Sequence, residues 1–171
     1  SLITKNLYAE SLRLSPEELH QQLTNKALII LDTRAKDDYD VGHITNAINF
    51  PVDITYANKR TNGQIQQPIQ MQKYLRQAGI STDSEVVIYD GGQLVDAARV
   101  FWTLEVYGIK KVKILDHGFN YWLNKNYSIS QSTPSIKASQ YIATTNHQRL
   151  ASKFTTQLAI NNSNKVVIDA R

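Results

Sequence analysis

The chain contains no cysteine among its 171 residues, and this absence excludes several kinds of chemistry at once. Disulfide bonds, thiolate metal sites and cysteine nucleophiles all need the sulfur atom of that side chain. The redox state of the surroundings therefore leaves no mark on the sequence. We expect neither a bound metal ion nor a cofactor.

Long apolar runs are absent as well. No stretch approaches the roughly 20 apolar residues that a membrane-spanning helix needs, and residues 1–14 lack the charged and apolar regions of a secretory signal. We therefore expect a cytoplasmic protein that does not associate with membranes. A leader that has already been removed is equally compatible with the sequence, because the chain begins with Ser1 and not with Met.

A strong excess of charge of one sign is also missing, since 19 Lys and Arg stand against 15 Asp and Glu. The densest basic group, Lys110, Lys111 and Lys113, lies next to a predicted strand and is interpreted as a solvated face. Nucleic-acid binding needs a concentrated basic stripe with interleaved aromatic residues, so we expect no nucleic-acid partner. With 42% hydrophobic and 20% charged residues, the composition is that of a globular protein with a hydrophobic core.

Apolar runs alternate with amphipathic segments through the first 125 residues. Strands are predicted over residues 27–31, 47–50, 86–88 and 112–115, and helices over residues 16–24, 68–78, 94–107 and 119–123. The strand runs are apolar throughout, as in strands that are buried on both faces. The alternation predicts an α/β fold with a parallel sheet that is covered by helices on both faces.

The ends of two helices carry explicit signals. Ser15 and Glu18 have the spacing of a capping box, with Pro16 at the first helical position. Gly108 follows the third long helix and is suited to end it. The apolar face predicted for that helix comprises Leu94, Ala97, Ala98, Phe101 and Leu104.

The stretch from Val86 to Gly108 is the centre of the chain, because it places a strand, a glycine-containing turn and a helix in succession. Free backbone N–H groups at a helix start favour an anion. The turn itself carries Asp90. A carboxylate nucleophile is one role for this residue. The other role, which we favour, is a loop anchor that accepts hydrogen bonds from the backbone N–H groups of Gly91, Gly92 or Gln93.

The composition changes after residue 127. Residues 127–139 are rich in Ser, Thr and Pro and are predicted to form a linker, and a helix is predicted over residues 151–160. Residues 165–171 (KVVIDAR) repeat the pattern of residues 28–34 (LIILDTR), which indicates a tandem repeat, although chance is an alternative for so short a match. We therefore predict one domain over residues 1–127, a linker with a helix over 128–164, and the first strand of a second, truncated domain over 165–171.

Two segments resemble the rhodanese family. Residues 31–51 (LDTRAKDDYDVGHITNAINFP) look like its opening signature, and residues 86–122 look like its active-loop segment and closing helix. The order Tyr-Asp-Gly before Ala-Ala-Arg is similar to the N-terminal half of two-domain thiosulfate or 3-mercaptopyruvate sulfurtransferases. The resemblance implies a rhodanese-like α/β fold with a central, mostly parallel sheet and helices on both faces.

The resemblance also implies a division of labour. In these proteins the N-terminal half carries Asp where the C-terminal half carries the catalytic cysteine, and this position is Asp90 here. The parent protein would transfer sulfane sulfur from thiosulfate or 3-mercaptopyruvate, through a cysteine persulfide, to cyanide or a thiol. Its partner would be the C-terminal rhodanese domain of the same chain, which binds the small anionic donor. Because an oxygen anion cannot hold that sulfur, we predict that this chain alone is inactive.

Three further residues receive roles from the resemblance. Asp32 and His43 would face the cysteine of the partner domain and assist proton transfer, and Arg171 would bind the anionic substrate. The structural alternative is that Asp32 pairs with Arg34 and that His43 satisfies backbone carbonyls beside Gly42. Both alternatives stay open at this point. Phosphatases of the same fold are excluded, because they too need the cysteine.

Other residues are interpreted as structural. We predict a structural ion pair for Arg99, and core or interdomain contacts for Trp102 and Trp122. The chain departs from the family pattern in two turns. Thr45-Asn46 replaces the usual Pro-Gly, and His117 replaces the first Gly of a Gly-Gly pair. The alternative function is a free-standing, catalytically inactive rhodanese-like module that binds a protein partner or regulates it.

Overall fold

A computed structural model of the protein describes residues 11–58, 63–151, 153–160 and 162–166. The strands are β1 (Arg13–Leu14), β2 (Leu28–Asp32), β3 (His43–Ile44), β4 (Ile48–Asn49), β5 (Glu85–Tyr89), β6 (Lys111–Leu115) and β7 (Ile129–Ser130). The helices are α1 (Pro16–Gln22), α2 (Lys36–Val41), α3 (Pro68–Gln77), α4 (Val95–Val106), α5 (Gly118–Asn124) and α6 (Lys153–Ile160). Two short 3₁₀ helices, Val52–Thr55 and His147–Arg149, lie in the connections.

Five strands form one parallel sheet in the order β1-β6-β5-β2-β4. Its centre is the pair of β2 and β5, in which Leu31 lies opposite Ile88. The remaining strands, β3 and β7, form a small antiparallel pair. The α/β fold with a mostly parallel sheet is therefore confirmed, and the carboxyl ends of β2 and β5 lie side by side.

Side chains that alternate along the central strands enter two separate cores. Val86 and Ile88 of β5 pack with residues of α3 and α4, whereas Val87 and Tyr89 pack with residues of α1 and α5. Successive residues of a strand point to opposite faces, so helices cover both faces of the sheet. This is why the strand runs are apolar throughout.

The predicted signals at the helix ends are confirmed. Ser15 and Glu18 form a complete capping box at α1, and Gly108 follows α4 with a left-handed φ of 79°. The predicted apolar face of α4 is wrong in part, because Ala98 is exposed and Leu94 precedes the first helical residue. The buried face is centred on Ala97, Val100, Thr103 and Leu104, which lie three or four residues apart.

Residues 128–150, which we call the strap, cross the outer side of the domain. The strap begins with β7, which pairs with β3, and its Tyr141 side chain is only 3% exposed. The Tyr141 hydroxyl donates to the carbonyl of Tyr107 (2.6 Å), and its own carbonyl accepts from Arg76 Nε (2.6 Å). Further bonds join Ser139 to Ile80, Ala143 to Gln72, Asn146 to Val106 and Trp102 to Arg149. The strap is thereby fixed to α3 and α4.

None of the helices in the described part of the chain is long and apolar enough to cross a membrane.

Replacement of Tyr141 tests whether the strap belongs to the cooperative folding unit. Tyr141→Ala removes a buried aromatic ring, and we expect the free energy of unfolding to fall by about 3–5 kcal/mol. The neighbouring Ile142 is 69% exposed, so Ile142→Ala should change it by less than about 0.5 kcal/mol. Urea denaturation followed by circular dichroism measures both. Equal stability of the two variants would show that the strap folds independently of the core.

Candidate functional site

The loop that joins β5 to α4, residues 90–94, lies at the carboxyl end of a central strand. In open parallel sheets, ligands bind outside this edge. Leu94 ends the loop with a left-handed φ of 63°, which is costly for a branched side chain, and α4 begins at the next residue. The predicted succession of strand, turn and helix is therefore present, and the turn is tight.

Asp90 anchors this loop from within. Its side chain is buried (4% exposed), and Oδ1 accepts a hydrogen bond from the backbone N–H of Gly92 at 2.7 Å. Oδ2 accepts a longer one, at 3.3 Å, from the N–H of Ala97 in the first turn of α4. The predicted anchor to the loop backbone is confirmed at Gly92. The carboxylate thus occupies the space that these N–H groups would offer to an external anion.

The turn before α5 holds the other side of the loop. The N–H groups of Phe119 and Asn120 donate to the carbonyls of Asp90 (2.8 Å) and Gly91 (3.3 Å). Gly118 has a φ of 59°, and a Cβ placed there would lie 2.5 Å from the carbonyl oxygen of Asp90. Only glycine allows so close an approach. The loop backbone is therefore clamped between α4 and α5.

Asp32 ends β2, beside this loop, and it is fully buried. Arg34 binds its carboxylate in bidentate fashion, with Nε 2.9 Å from Oδ1 and Nη2 2.5 Å from Oδ2. The Tyr89 hydroxyl donates to Oδ2 at 2.6 Å and accepts from the N–H of Ile44 at 3.1 Å. Burial raises the pKa of Tyr89 well above its ordinary value, and the charge of Asp32 raises it further.

The guanidinium of Arg34 extends this cluster to neighbouring elements. Its Nη2 donates to the carbonyl of Gly42 at 2.8 Å, and its Cζ lies 3.8 Å from the ring centroid of Phe119, a cation–π distance. Burial lowers the pKa of Arg34, but the hydrogen bond and the charge of Asp32 outweigh it, so the net shift is upward. The ion pair thus joins β2, β3 and α5.

His43 is fully buried, and its contacts are with backbone groups. Nδ1 lies 2.9 Å from the carbonyl oxygen of Tyr39, and Nε2 lies 3.3 Å from that of Ser132 in the strap. The imidazole stacks on the Tyr39 ring with centroids 3.8 Å apart. Asp32 and His43 each bond to their own surroundings, and no hydrogen bond joins them in the described ranges. This geometry favours the structural alternative for both residues.

The remaining predicted residues have different outcomes. Arg171 lies outside the described residues. Trp122 is fully buried, as expected for a core residue. Trp102 is half-buried and donates from Nε1 to the carbonyl of Arg149 in the strap. It therefore packs within the domain.

Arg99 makes contacts that the sequence did not indicate. Its guanidinium donates to the carbonyls of Thr55, Gly63 and Gln64, at 3.1–3.3 Å, and lies 4.2 Å from the ring centroid of Tyr56. In the described part of the chain, carbonyls and rings take the place of the predicted ion pair. Burial lowers its pKa accordingly. These partners come from the irregular connection after β4, whose path has no sequence signal.

The two departures from the family pattern have a common explanation. Asn46 has a φ of 68° and His117 a φ of 61°, both in the left-handed region. Asn and His enter this region more readily than most residues with side chains. The conformation that glycine would adopt in these turns is therefore kept without glycine.

No group of three or more His, Cys, Asp or Glu side chains that could hold a metal ion is found within the described ranges. The acidic residues at this edge of the sheet are already engaged. Asp32 is bound by Arg34 and Tyr89, and Asp90 by backbone N–H groups. The site thus presents backbone and neutral side chains around two satisfied carboxylates.

Comparison with known proteins gives a consistent result. Residues 15–125 match the family described as Rhodanese-like domain. The chain is 26% identical over 143 residues to the 3-mercaptopyruvate sulfurtransferase of Escherichia coli K12, covering 82% of this chain and 50% of that protein. It is 31% identical over 129 residues to thiosulfate/3-mercaptopyruvate sulfurtransferase 1, mitochondrial, of Arabidopsis thaliana, covering 69% and 34% respectively.

Among solved structures, the chain is similar to SseA of Escherichia coli, a 3-mercaptopyruvate sulfotransferase with the rhodanese fold. The TM-score is 0.80 at 21% identity, and the match covers 90% of this chain and 63% of that one. At this identity the likeness shows a common fold. The chain spans half or less of the length of the two curated relatives above.

Gly118→Ala tests the clamp on the loop. A Cβ at this position would overlap the carbonyl of Asp90, and alanine disfavours a left-handed φ, so we expect a loss of about 2–5 kcal/mol in the free energy of unfolding. Gly91→Ala is the matched control, because no atom lies within 4 Å of its added Cβ and its φ is not left-handed. It should change stability by less than about 1 kcal/mol. Two variants of equal stability would contradict the clamp.

Tyr89→Phe tests the buried hydrogen bond to Asp32 and its dependence on pH. Below pH 10 the variant should be less stable by about 1–3 kcal/mol, because an acceptor in Asp32 and a donor in Ile44 lose their partner. The pKa of Tyr89 is raised in the folded protein, so the stabilisation by its neutral hydroxyl is complete below the unfolded value of about 10 and declines as the pH rises further.

The gap in stability between the native protein and Tyr89→Phe should therefore narrow from pH 8 to pH 11. Urea denaturation at the two pH values measures this gap. Other buried tyrosines, such as Tyr107, whose pKa is raised to about 12 by burial, are common to both proteins and cancel. A gap that does not change with pH would contradict the assignment.

Proposed function

The chain belongs to the family of rhodanese-like domains, and we propose that it serves as the non-catalytic N-terminal domain of a two-domain sulfurtransferase. The parent protein transfers sulfane sulfur from thiosulfate or 3-mercaptopyruvate to cyanide or a thiol. A cysteine persulfide in the C-terminal domain carries the sulfur between donor and acceptor. The small anionic donor binds in that second domain, which is the partner of this one.

The observation that carries the proposal is the state of the β5–α4 loop. Sulfur transfer of this kind needs a thiolate that attacks the sulfane sulfur and holds it as a persulfide. Here the chain has no cysteine, and the Asp90 carboxylate accepts the N–H groups of Gly92 and Ala97. A hard oxygen anion forms no persulfide, and its charge repels an anionic donor. The nucleophile must therefore come from elsewhere in the parent protein.

The relatives support this arrangement. The matches to the sulfurtransferases of Escherichia coli and Arabidopsis thaliana leave half or more of each relative uncovered, so each has room for a second domain. Residues 165–171 repeat the pattern that begins with β2 in this domain. At the equivalent place in the second copy, Arg171 would grip thiosulfate or a carboxylate in bidentate fashion.

For Asp32 and His43 we propose scaffold roles within this domain. Both side chains are fully buried, Asp32 is bound by Arg34 and Tyr89, and the His43 nitrogens lie against backbone carbonyls. Proton transfer to a cysteine in another domain would need one of these groups to leave its present partners. The geometry therefore supports structural roles better than assistance across the interface.

The coding sequence beyond Arg171 discriminates this proposal from its rival. We expect a second rhodanese-like domain whose strand–loop–helix carries a cysteine at the position of Asp90. A stop codon soon after Arg171, or a second domain without that cysteine, would overturn the proposal in favour of a free-standing inactive module.

Turnover provides the functional test. The chain of 171 residues should form no thiocyanate from thiosulfate and cyanide, whereas the full-length protein should form it. The full-length protein with its loop cysteine replaced by serine is the matched control and should also be inactive. Measurable turnover by the cysteine-free chain would refute the argument from its chemistry.

A further inference from the structure

One ionisable side chain at the loop has no role in the functions described so far. His117 lies at the carboxyl end of β6, immediately before Gly118, and its carbonyl oxygen is 3.0 Å from the Cβ position of Gly92 in the loop. Its side chain is exposed. The imidazole is therefore on the rim of the loop, on the sheet edge where ligands of this fold class bind.

The other described histidines are not available in this way. His43 is buried. His20, on α1, stacks on Tyr127 with ring centroids 4.1 Å apart, and His147 lies in the 3₁₀ helix at the end of the strap. Among these four, His117 alone adjoins the loop with an exposed imidazole.

The fold makes little use of the His117 side chain. Its backbone has a φ of 61°, a conformation that Gly or Asn adopts at lower cost. The imidazole has one ring contact, with Tyr121 at 4.9 Å, and no hydrogen bond to it is found among the described residues. Strained backbone that the fold does not exploit is a pointer toward function.

The charged groups around His117 leave its positive form available. At the end of β6, Asp116 is paired with Arg13. In the loop, Asp90 is bound by backbone N–H groups. On α5, Lys125 lies over the Tyr121 ring. No carboxylate near the imidazole is thus free to neutralise it.

We propose that His117 is the cationic side chain that this domain presents to the anionic sulfur donor in the second domain. The proposal rests on the function proposed above. An imidazolium is attracted to a thiosulfate or carboxylate anion and loses that attraction when it is deprotonated, which ordinarily happens near neutral pH. Here it acts as a substrate-binding group and takes no part in bond making.

The experiment uses the full-length protein and its His117→Asn variant, because Asn keeps the left-handed turn and removes the charge. Initial rates with thiosulfate or 3-mercaptopyruvate and a saturating thiol acceptor give KM and kcat at pH 6.0 and pH 8.5. His147→Asn is the control, since it removes a histidine from the strap, away from the loop. Urea denaturation checks that both variants are folded.

At pH 6.0 we expect His117→Asn to raise KM by about two- to fivefold, the range for one exposed ion pair, with kcat unchanged. At pH 8.5 the KM values should coincide, and His147→Asn should match the native protein at both. The rise should be larger for thiosulfate, a dianion, than for 3-mercaptopyruvate, a monoanion.

The outcomes separate the two proposals. Equal KM values at pH 6.0 would overturn the role of His117 and leave the function of the domain in place. A fall in kcat with KM unchanged would also overturn it, because a disturbed loop and not a lost charge would be the cause. If the native full-length protein has no sulfurtransferase activity with either donor, both proposals fail.

Discussion

The buried carboxylate of Asp32 determines how the carboxyl edge of the sheet is assembled. A charge in this position is costly unless every oxygen finds donors. Arg34 and Tyr89 supply them, and each donor has a second contact, Arg34 with Gly42 and Tyr89 with Ile44. One desolvated charge therefore fixes the relative positions of β2, β5 and the β3 turn.

Asp90 repeats this solution on a smaller scale, with backbone N–H groups as donors. The two carboxylates lie at the ends of neighbouring strands, and neither has an oxygen directed at a ligand without also serving the fold. The site is thus preserved in shape and altered in chemistry. In a catalytic loop, the same N–H groups would stabilise an anionic sulfur. Here they stabilise the protein itself, which gives the domain a reason to keep the loop after the nucleophile is gone.

Local signals predicted much of this structure. The strand positions, the capping box at Ser15, the glycine stop at Gly108 and the Asp90 anchor all depend on residues close in sequence. What the sequence could not show depends on distant partners. The carbonyl contacts of Arg99 come from an irregular connection, and the burial of Tyr141 depends on where a polar, Ser- and Thr-rich segment crosses the helices. Composition indicated a linker there, because polar residues that bond to a protein surface look like residues that bond to water.

The strap also limits the geometry of any protein in which a second domain follows. Its last anchored residue is Arg149, held by Trp102 and Glu105 on α4. If the second domain begins with residue 165, the chain between the two has only about 14 residues, and eight of these are coiled in α6. Such a segment reaches about 30 Å at most. The two domains would then be held on a short tether, and the face of the first that meets the second would be selected largely by reach, before any contact between them is made.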